Sequence, residues 1–370
     1  MKRLSTVVAL SVLALAAPGL TQAQNNSAAS ANAQSGNLRM YWIDAEGGAA
    51  TLIVAPSGES MLFDTGYEVG DRDAKRIYAA AQQAGLKQID YVVISHWHAD
   101  HVGGLAALAK MIPIGRFFDH GDAVQPEDRA RLEGYKIVAG NKRTILKPGD
   151  NVPLKGVSVQ VVASEEKLIA NPVSGGGPNS LCANAPQMGP AGPENQRMVG
   201  LMLSYGKFKY LSLADLDWQK EMELSCPVNK LGTVTMYLVS RHGGLDDSAA
   251  PAFLGAIKPQ VVIMNNGPKK GLGQTDDRSK PLVVPGVQTA AYERNSYLRL
   301  AKSPGVEGIW QEHLSLLDKD PAHNTSPDMI ANLEDTADCQ GHWIRGSVAS
   351  DGKFTITNGR NGFSKSYSAR

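Results

Sequence analysis

The chain has 370 residues, with 37 lysines and arginines against 36 aspartates and glutamates, a formal net charge of +1. So even a balance argues against a general binder of nucleic acid or of anionic membrane surfaces, which needs a basic excess. Three cysteines, Cys182, Cys226 and Cys339, allow at most one internal disulfide, for which Cys182 with Cys226 is the expected pair; none falls at zinc-ligand spacing.

In chain order, residues 1–23 read as an export signal: Lys2 and Arg3, an apolar stretch from Leu4 to Leu15, then Thr21-Gln22-Ala23 as a small-residue cleavage site. The stretch is shorter than the roughly 20 residues that a spanning helix needs. The expectation is an exported protein, periplasmic or extracellular, with no membrane contact beyond the signal; an uncleaved anchor is the alternative. Loss of Lys2 and Arg3 leaves 35 basic against 36 acidic groups. Residues 24–37 are small, polar and aperiodic, as a disordered linker is.

The folded domain is expected over residues 38–340. Apolar runs at Leu38 to Ile43, Ala50 to Val54 and Met61 to Phe63, parted by glycine-rich turns, predict three paired strands. Asp73 to Ala84 has a helical pattern, and Ile89 to Ile94 reads as a strand covered on both faces. A helix at Leu105 to Met111 follows. Further strands are predicted at 116–118, 157–163, 198–205, 209–213 and 235–239, with helices at 218–224, 248–257 and 288–301. Strand groups alternating with helices in both halves predict an α/β protein built as a four-layer αββα sandwich. Two proline- and glycine-rich loops, 165–196 and 265–286, are either lids or plain insertions. Residues 341–370 read as an added β-hairpin that covers a sheet edge.

The chemistry concentrates in Ser95-His96-Trp97-His98-Ala99-Asp100-His101-Val102-Gly103-Gly104, directly after the strand at Ile89 to Ile94. In an extended chain alternate side chains share a side, so His96 and His98 can converge on one ion. Asp100 and His101, where the chain turns into the next helix, can face a second. Imidazole nitrogen with carboxylate oxygen suits zinc or a similar divalent ion. Trp97 alternates away from that side and is expected to pack.

This segment matches the His-x-His-x-Asp-His signature of the metallo-β-lactamase superfamily, which the sequence resembles along most of its length. Met61 to Gly66 looks like the family's Asp-Thr-Gly turn, Tyr210 to Asp215 like the strand ending in its metal-bridging Asp, and Ser240 to Gly244 like the segment with its last His ligand. Ile43 to Gly48 and Glu194-Asn195 add a resemblance to the hydrolase domain of DNA-uptake competence proteins and to phosphorylcholine esterases. As in those members, the third His of the classical lactamases is missing; His120 lies too soon after His101 to replace it and is expected in a structural or pocket role.

The resemblance implies the metallo-β-lactamase fold and two divalent cations, zinc first, with manganese or iron as alternatives. His96, His98 and Asp215 would hold one; Asp100, His101, Asp215 and His242 would hold the other. Asp100 and His242 are the candidate catalytic residues, and Asp64 would accept the outer N–H of a ligand histidine. Plainer readings remain open, Asp215 as a helix N-cap and Asp64 as a turn residue. A hydroxide between two such ions could attack phosphorus or carbonyl carbon, so the implied activity is metal-dependent hydrolysis of small or polymeric phosphoesters. Opening of a β-lactam or lactone ring is the alternative, and a binding module that keeps its metal as structure is the third. Lys269, Lys270, Arg278 and Lys280 could meet phosphate oxygens or form a solvated basic loop. No stable nucleic-acid binding is expected.

Overall fold

The computed structural model describes residues 36–370 except 174, 245–246, 273–283 and 319. The expected signal at 1–23, nearly all of the linker, Arg278 and Lys280 lie outside the described residues. The first half runs β1 (Leu38–Trp42), β2 (Thr51–Val54), β3 (Ser60–Phe63), α1 (Arg72–Gln83), β4 (Ile89–Val93), α2 (Ala99–Val102), α3 (Leu105–Met111), β5 (Ile114–Asp119), α4 (Pro126–Ala139) and β6 (Arg143–Ile145). The second half runs β7 (Ser158–Ser164), β8 (Lys167–Leu168), β9 (Gly177–Pro178), β10 (Gly200–Tyr205), β11 (Phe208–Ser212), α5 (Trp218–Ser225), β12 (Val228–Asn229), β13 (Met236–Leu238), α6 (Pro251–Ile257), β14 (Val261–Met264), α7 (Ser296–Ala301), β15 (Gly308–His313) and β16 (Ile330–Asn332). The chain then returns through β17 (Ile344–Val348), β18 (Lys353–Asn358) and β19 (Ser364–Ser368).

Two large sheets result. One has the order β19-β18-β17-β1-β2-β3-β4-β5-β6 and the other β16-β15-β14-β13-β11-β10-β7-β8. Side-chain alternation along the strands sorts residues to opposite faces. Leu52 and Val54 of β2, with Tyr41 of β1, join Ala74, Ile77, Leu108 and Leu132 in a core under helices α1, α3 and α4. Ile53, Met40 and Trp42 face the other way, into a core shared with Val159, Leu203 and Tyr210 of the second sheet and with Trp218, Phe253 and Leu300 of α5, α6 and α7. The Trp42 indole N–H donates to the Tyr210 hydroxyl at 3.2 Å across the two sheets. The architecture is thus the αββα sandwich expected from the element order.

Some elements differ from the sequence expectation. Helix α4 was not expected; its buried residues Leu132, Tyr135 and Ala139 are sparse and Ile137 is exposed, so its apolar stripe is weak. Of the helix predicted over 288–301 only α7 forms, because the carbonyls of Glu293 and Arg294 accept from the Arg299 guanidinium and Asn295 caps the helix at the Leu298 N–H. At the C-terminus there are three antiparallel strands, and β17 pairs with β1, so they continue the first sheet. Cys182 and Cys226 are disulfide-bonded and Cys339 is free. Among the described residues no helix is long and apolar enough to cross a membrane.

Candidate metal centre

Strands β3 to β6 run parallel, as do β11 and β13 to β16, and four loops leaving carboxyl ends of these strands meet. Asp64 follows β3, the segment from Ser95 to His101 follows β4, Asp215 follows β11 and His242 follows β13. Asp64, Ala214, Arg241 and His242 all adopt positive φ, at 64°, 45°, 53° and 56°. Such conformations cost about 1–3 kcal/mol each for residues other than glycine and persist only where neighbours hold them, which is common at functional sites. Here the Ser95 N–H and hydroxyl donate to the two Asp64 oxygens at 2.7 and 2.8 Å, and the Arg241 N–H donates to the Ala214 carbonyl at 3.0 Å.

Gly103 and Gly104 allow a close passage of chain. A Cβ on Gly104 would lie 2.2 Å from the Thr65 carbonyl oxygen, and one on Gly103 would lie 2.5 Å from the Glu68 nitrogen. Their absence lets the turn at Asp64 to Gly66 pack on the motif, with the Thr65 N–H donating to the His101 carbonyl at 2.7 Å.

These loops bring together all six residues singled out as ligands. Ligand atoms of Asp100, His101, Asp215 and His242 lie within 4.8 Å of one another, and so do those of His96, His98 and Asp215. Asp215 Oδ1 is 3.3 Å from His101 Nε2 and 3.2 Å from His242 Nε2. His96 Nε2 and His98 Nδ1 are 2.9 Å apart. The His101 Nε2, His242 Nε2 and Asp215 Oδ1 atoms are buried without any hydrogen-bond partner. Buried polar atoms are ordinarily paired, and their convergence without donors or acceptors is what a cation site looks like before its cation.

Hydrogen bonds behind the ligands set the tautomers. His242 Nδ1 faces the Asn265 carbonyl at 3.2 Å; a carbonyl only accepts, so the proton sits on Nδ1 and the Nε2 lone pair points into the cluster. Asp64 Oδ2 does the same for His101 at 2.8 Å. His98 Nε2 lies 4.0 Å from Asp128, a carboxyl in the first turn of α4 that burial pushes up.

The electrostatics suit a site for a dication. Burial, reinforced by His101 and His98, pushes His96 well below the usual histidine range and keeps its lone pair free. Burial opposes the charges on Asp100 and Asp215, yet Lys270 and His101 hold the first, and His242 and His101 the second, well below the usual carboxylate range. Burial likewise opposes charge on His101, but Asp100, Asp215 and Asp64 raise it well above its ordinary value. The Lys270 ammonium, which bonds Asp100 Oδ2 and the Tyr67 hydroxyl, adds positive charge beside these carboxylates.

The remaining candidates fall outside the cluster. His120 Nε2 bonds Glu194 at 2.9 Å, and Glu194 also accepts the Trp97 N–H, so His120 helps dock the 165–196 loop behind the motif. The Trp97 indole N–H donates to the Gly121 carbonyl at 3.2 Å and its ring packs on Tyr135, away from the ligands. Asp217, rather than Asp215, caps α5, accepting from the Lys220 N–H. Sequence reasoning missed Ser95, the Asn265 carbonyl and Asp128 as supports. Only Asp128 had a signal, the Pro126-Glu127-Asp128 start of a helix.

Residues 43–184 match the family model of the metallo-beta-lactamase superfamily. The chain is 25% identical over 223 residues to the competence protein ComA of Neisseria gonorrhoeae, covering 60% of this chain and 26% of that protein. It is 26% identical over 104 residues to the atrochrysone carboxyl ACP thioesterase dmxR1 of Cryptosporiopsis sp. (strain 8999), covering 28% of this chain and 32% of that one. The chain thus spans about a quarter to a third of the length of these curated relatives. The metallo-beta-lactamase fold protein YhfI of Bacillus subtilis overlaps with a TM-score of 0.40 at 10% identity, over 62% of this chain and 87% of that one. An overlap of that size carries no weight; the fold rests on the sheet order and the superfamily match.

Proposed function

We propose, on the match of residues 43–184 to the metallo-beta-lactamase superfamily model and on the clustered ligand atoms, that this chain is an exported hydrolase working with two divalent cations, zinc by preference, on phosphoester substrates. The single observation that carries the metal is the meeting of His101 Nε2, His242 Nε2 and Asp215 Oδ1, all buried and all without partners. His96, His98 and Asp215 would hold one cation, and Asp100, His101, Asp215 and His242 the other. Bound there, a cation pair lowers the pKa of water and neutralises charge building on the substrate.

The chain's own residues do the rest. Asp64 and Ser95 orient His101 and His96, since the Ser95 hydroxyl also lies 2.9 Å from His96 Nδ1. Asp100 Oδ2 is placed to orient or accept a proton, and Lys270 supports the phosphoester reading. Its ammonium bonds Asp100 in this structure, and were cations to satisfy that carboxylate it would be free to meet an anionic substrate oxygen. The thioesterase relative favours a second reading, attack on a carbonyl carbon, which takes in lactam and lactone rings as well as thioesters.

Chromogenic phosphodiester, cephalosporin and thioester substrates, each with and without chelator, separate these readings. Chelator-sensitive turnover of the phosphodiester alone supports the first. Turnover of a carbonyl substrate alone supports the second. Zinc binding with no turnover of any would leave a metal-stabilised binding protein and overturn both.

A further inference from the structure

Three residues that the metal centre does not use converge where the Asp44 loop, the end of β15 and the segment before β17 meet. One oxygen of Asp44, a ring nitrogen of His313 and the Cys339 Sγ lie within 4.8 Å of one another. His313 Nε2 is 4.0 Å from Cys339 Sγ. On the other side of the ring, Nδ1 is 3.3 Å from the Leu314 carbonyl, which can only accept. The imidazole proton therefore sits on Nδ1 and the Nε2 lone pair is offered toward the thiol. Asp44 and His313 are buried, while Cys339 is half-buried, which leaves an entry path.

The surrounding charges do not balance. Arg76 bonds Asp44 and Glu46, at 3.3 and 3.1 Å, and Arg72 bonds Glu46 and Asp73. A fourth carboxyl, Glu312, is buried within electrostatic reach of Asp44 and Asp73, and its Oε2 has no hydrogen-bond partner. Four carboxyl groups thus face two guanidiniums; burial pushes Glu312 well above the usual carboxylate range and Asp44 up to about 6, so the buried pair carries its charge only where a cation offsets it. Burial pushes the Cys339 thiol up, so without a cation it stays protonated and is a poor nucleophile.

We propose that Asp44, His313 and Cys339 form a second metal site, separate from the histidine–aspartate centre, for one divalent cation that accepts thiolate, zinc being the natural choice. Three protein ligands with solvent in the fourth position satisfy tetrahedral zinc, and the thiol proton leaves to solvent as the sulfur–metal bond forms. Cysteine spacing in the sequence gives no hint of this, since the three ligands come from positions 44, 313 and 339. The site would also brace the centre. Residues of the Asp44 loop support Asp100, whose carbonyl accepts from the Ala49 N–H at 3.0 Å and would lie 2.8 Å from a Cβ on Gly48.

Cobalt(II) reports this site alone, because Cys339 is the one free thiol and the other centre has no sulfur ligand. The full chain, with the Cys182–Cys226 disulfide intact and loaded with cobalt, is expected to show a thiolate-to-cobalt charge-transfer band in the near ultraviolet. The band should be lost in Cys339→Ser, lost or weakened in His313→Gln, and kept in His96→Ala. Zinc stoichiometry should fall by about one equivalent in Cys339→Ser. Zinc should also shield the wild-type thiol from a thiol-specific reagent until chelator is added, a measurement that stands if Cys339→Ser fails to fold. Absence of the band in cobalt-loaded wild type, its loss in His96→Ala, or a thiol equally reactive with and without zinc would overturn the proposal. None of these readouts depends on hydrolysis.

Discussion

Replacing Asp64 by Asn tests the hydrogen bonds that stand behind the ligands. Asp64 accepts three of them, from the Ser95 N–H at 2.7 Å, the Ser95 hydroxyl at 2.8 Å and His101 Nδ1 at 2.8 Å. An amide oxygen in the Oδ1 position keeps the Ser95 N–H, but the NH2 then faces His101 Nδ1. To avoid two opposed donors the imidazole must move its proton to Nε2, the atom that faces Asp100 and Asp215. Loss of such a support typically costs 10–100-fold in metal affinity, about 1.4–2.7 kcal/mol. The metal-free fold should not suffer equally, because burial already pushes the Asp64 carboxyl up and a neutral amide avoids that cost. Chelator competition for zinc measures the first quantity and thermal melting of the metal-free protein the second. Affinity within about twofold of wild type, or a melting loss large enough to account for the affinity change, would refute the reasoning.

Lys270→Ala is expected to retain metal uptake but lose turnover of anionic phosphodiesters, chiefly through a higher KM; unchanged kinetics would remove Lys270 from substrate binding. Gly104→Ala would set a methyl 2.2 Å from the Thr65 carbonyl oxygen, so the motif and the Asp64 turn must separate, at about 1–3 kcal/mol in denaturant unfolding. A wild-type melting curve would contradict that packing. Glu221, buried between the Tyr237 hydroxyl and the Ala250 N–H, is pushed up to about 7 chiefly by burial. The folded chain then keeps this proton when the unfolded chain has released it, so the contribution is full below the ordinary glutamate pKa and is lost as pH rises to about 7. The loss amounts to about 3 kcal/mol. Glu221→Gln, whose amide can accept from Ala250 and donate to the Tyr237 oxygen, should flatten that slope; an unchanged slope between pH 4.5 and 7 would assign it to other groups.

The parts legible in the sequence were those fixed by short-range pattern. Helix α3 forms at the residues expected, Leu105–Met111, and the strands β1 to β4 fall where alternating or continuous apolar runs ended in glycine-rich turns. The six clustered side chains were legible because four lie within six residues and the other two follow apolar strands, in a family-like order. What the sequence hid is set by tertiary packing. Lys270 meets Asp100 across 170 residues, Glu194 reaches Trp97 and His120 from the far loop, and Asp44 finds His313 and Cys339 only after both sheets have closed. Helix α4 was missed because it buries few apolar residues, and β19 (Ser364–Ser368) because it is a polar edge strand with Tyr367 alone buried.

Crystals grown with zinc and measured at its absorption edge test the central claim most directly. Two anomalous peaks should appear, one among His96, His98 and Asp215, the other among Asp100, His101, Asp215 and His242, with Lys270 turned away from Asp100. A cluster still empty at saturating zinc, with the Lys270–Asp100 pair intact, would contradict the account.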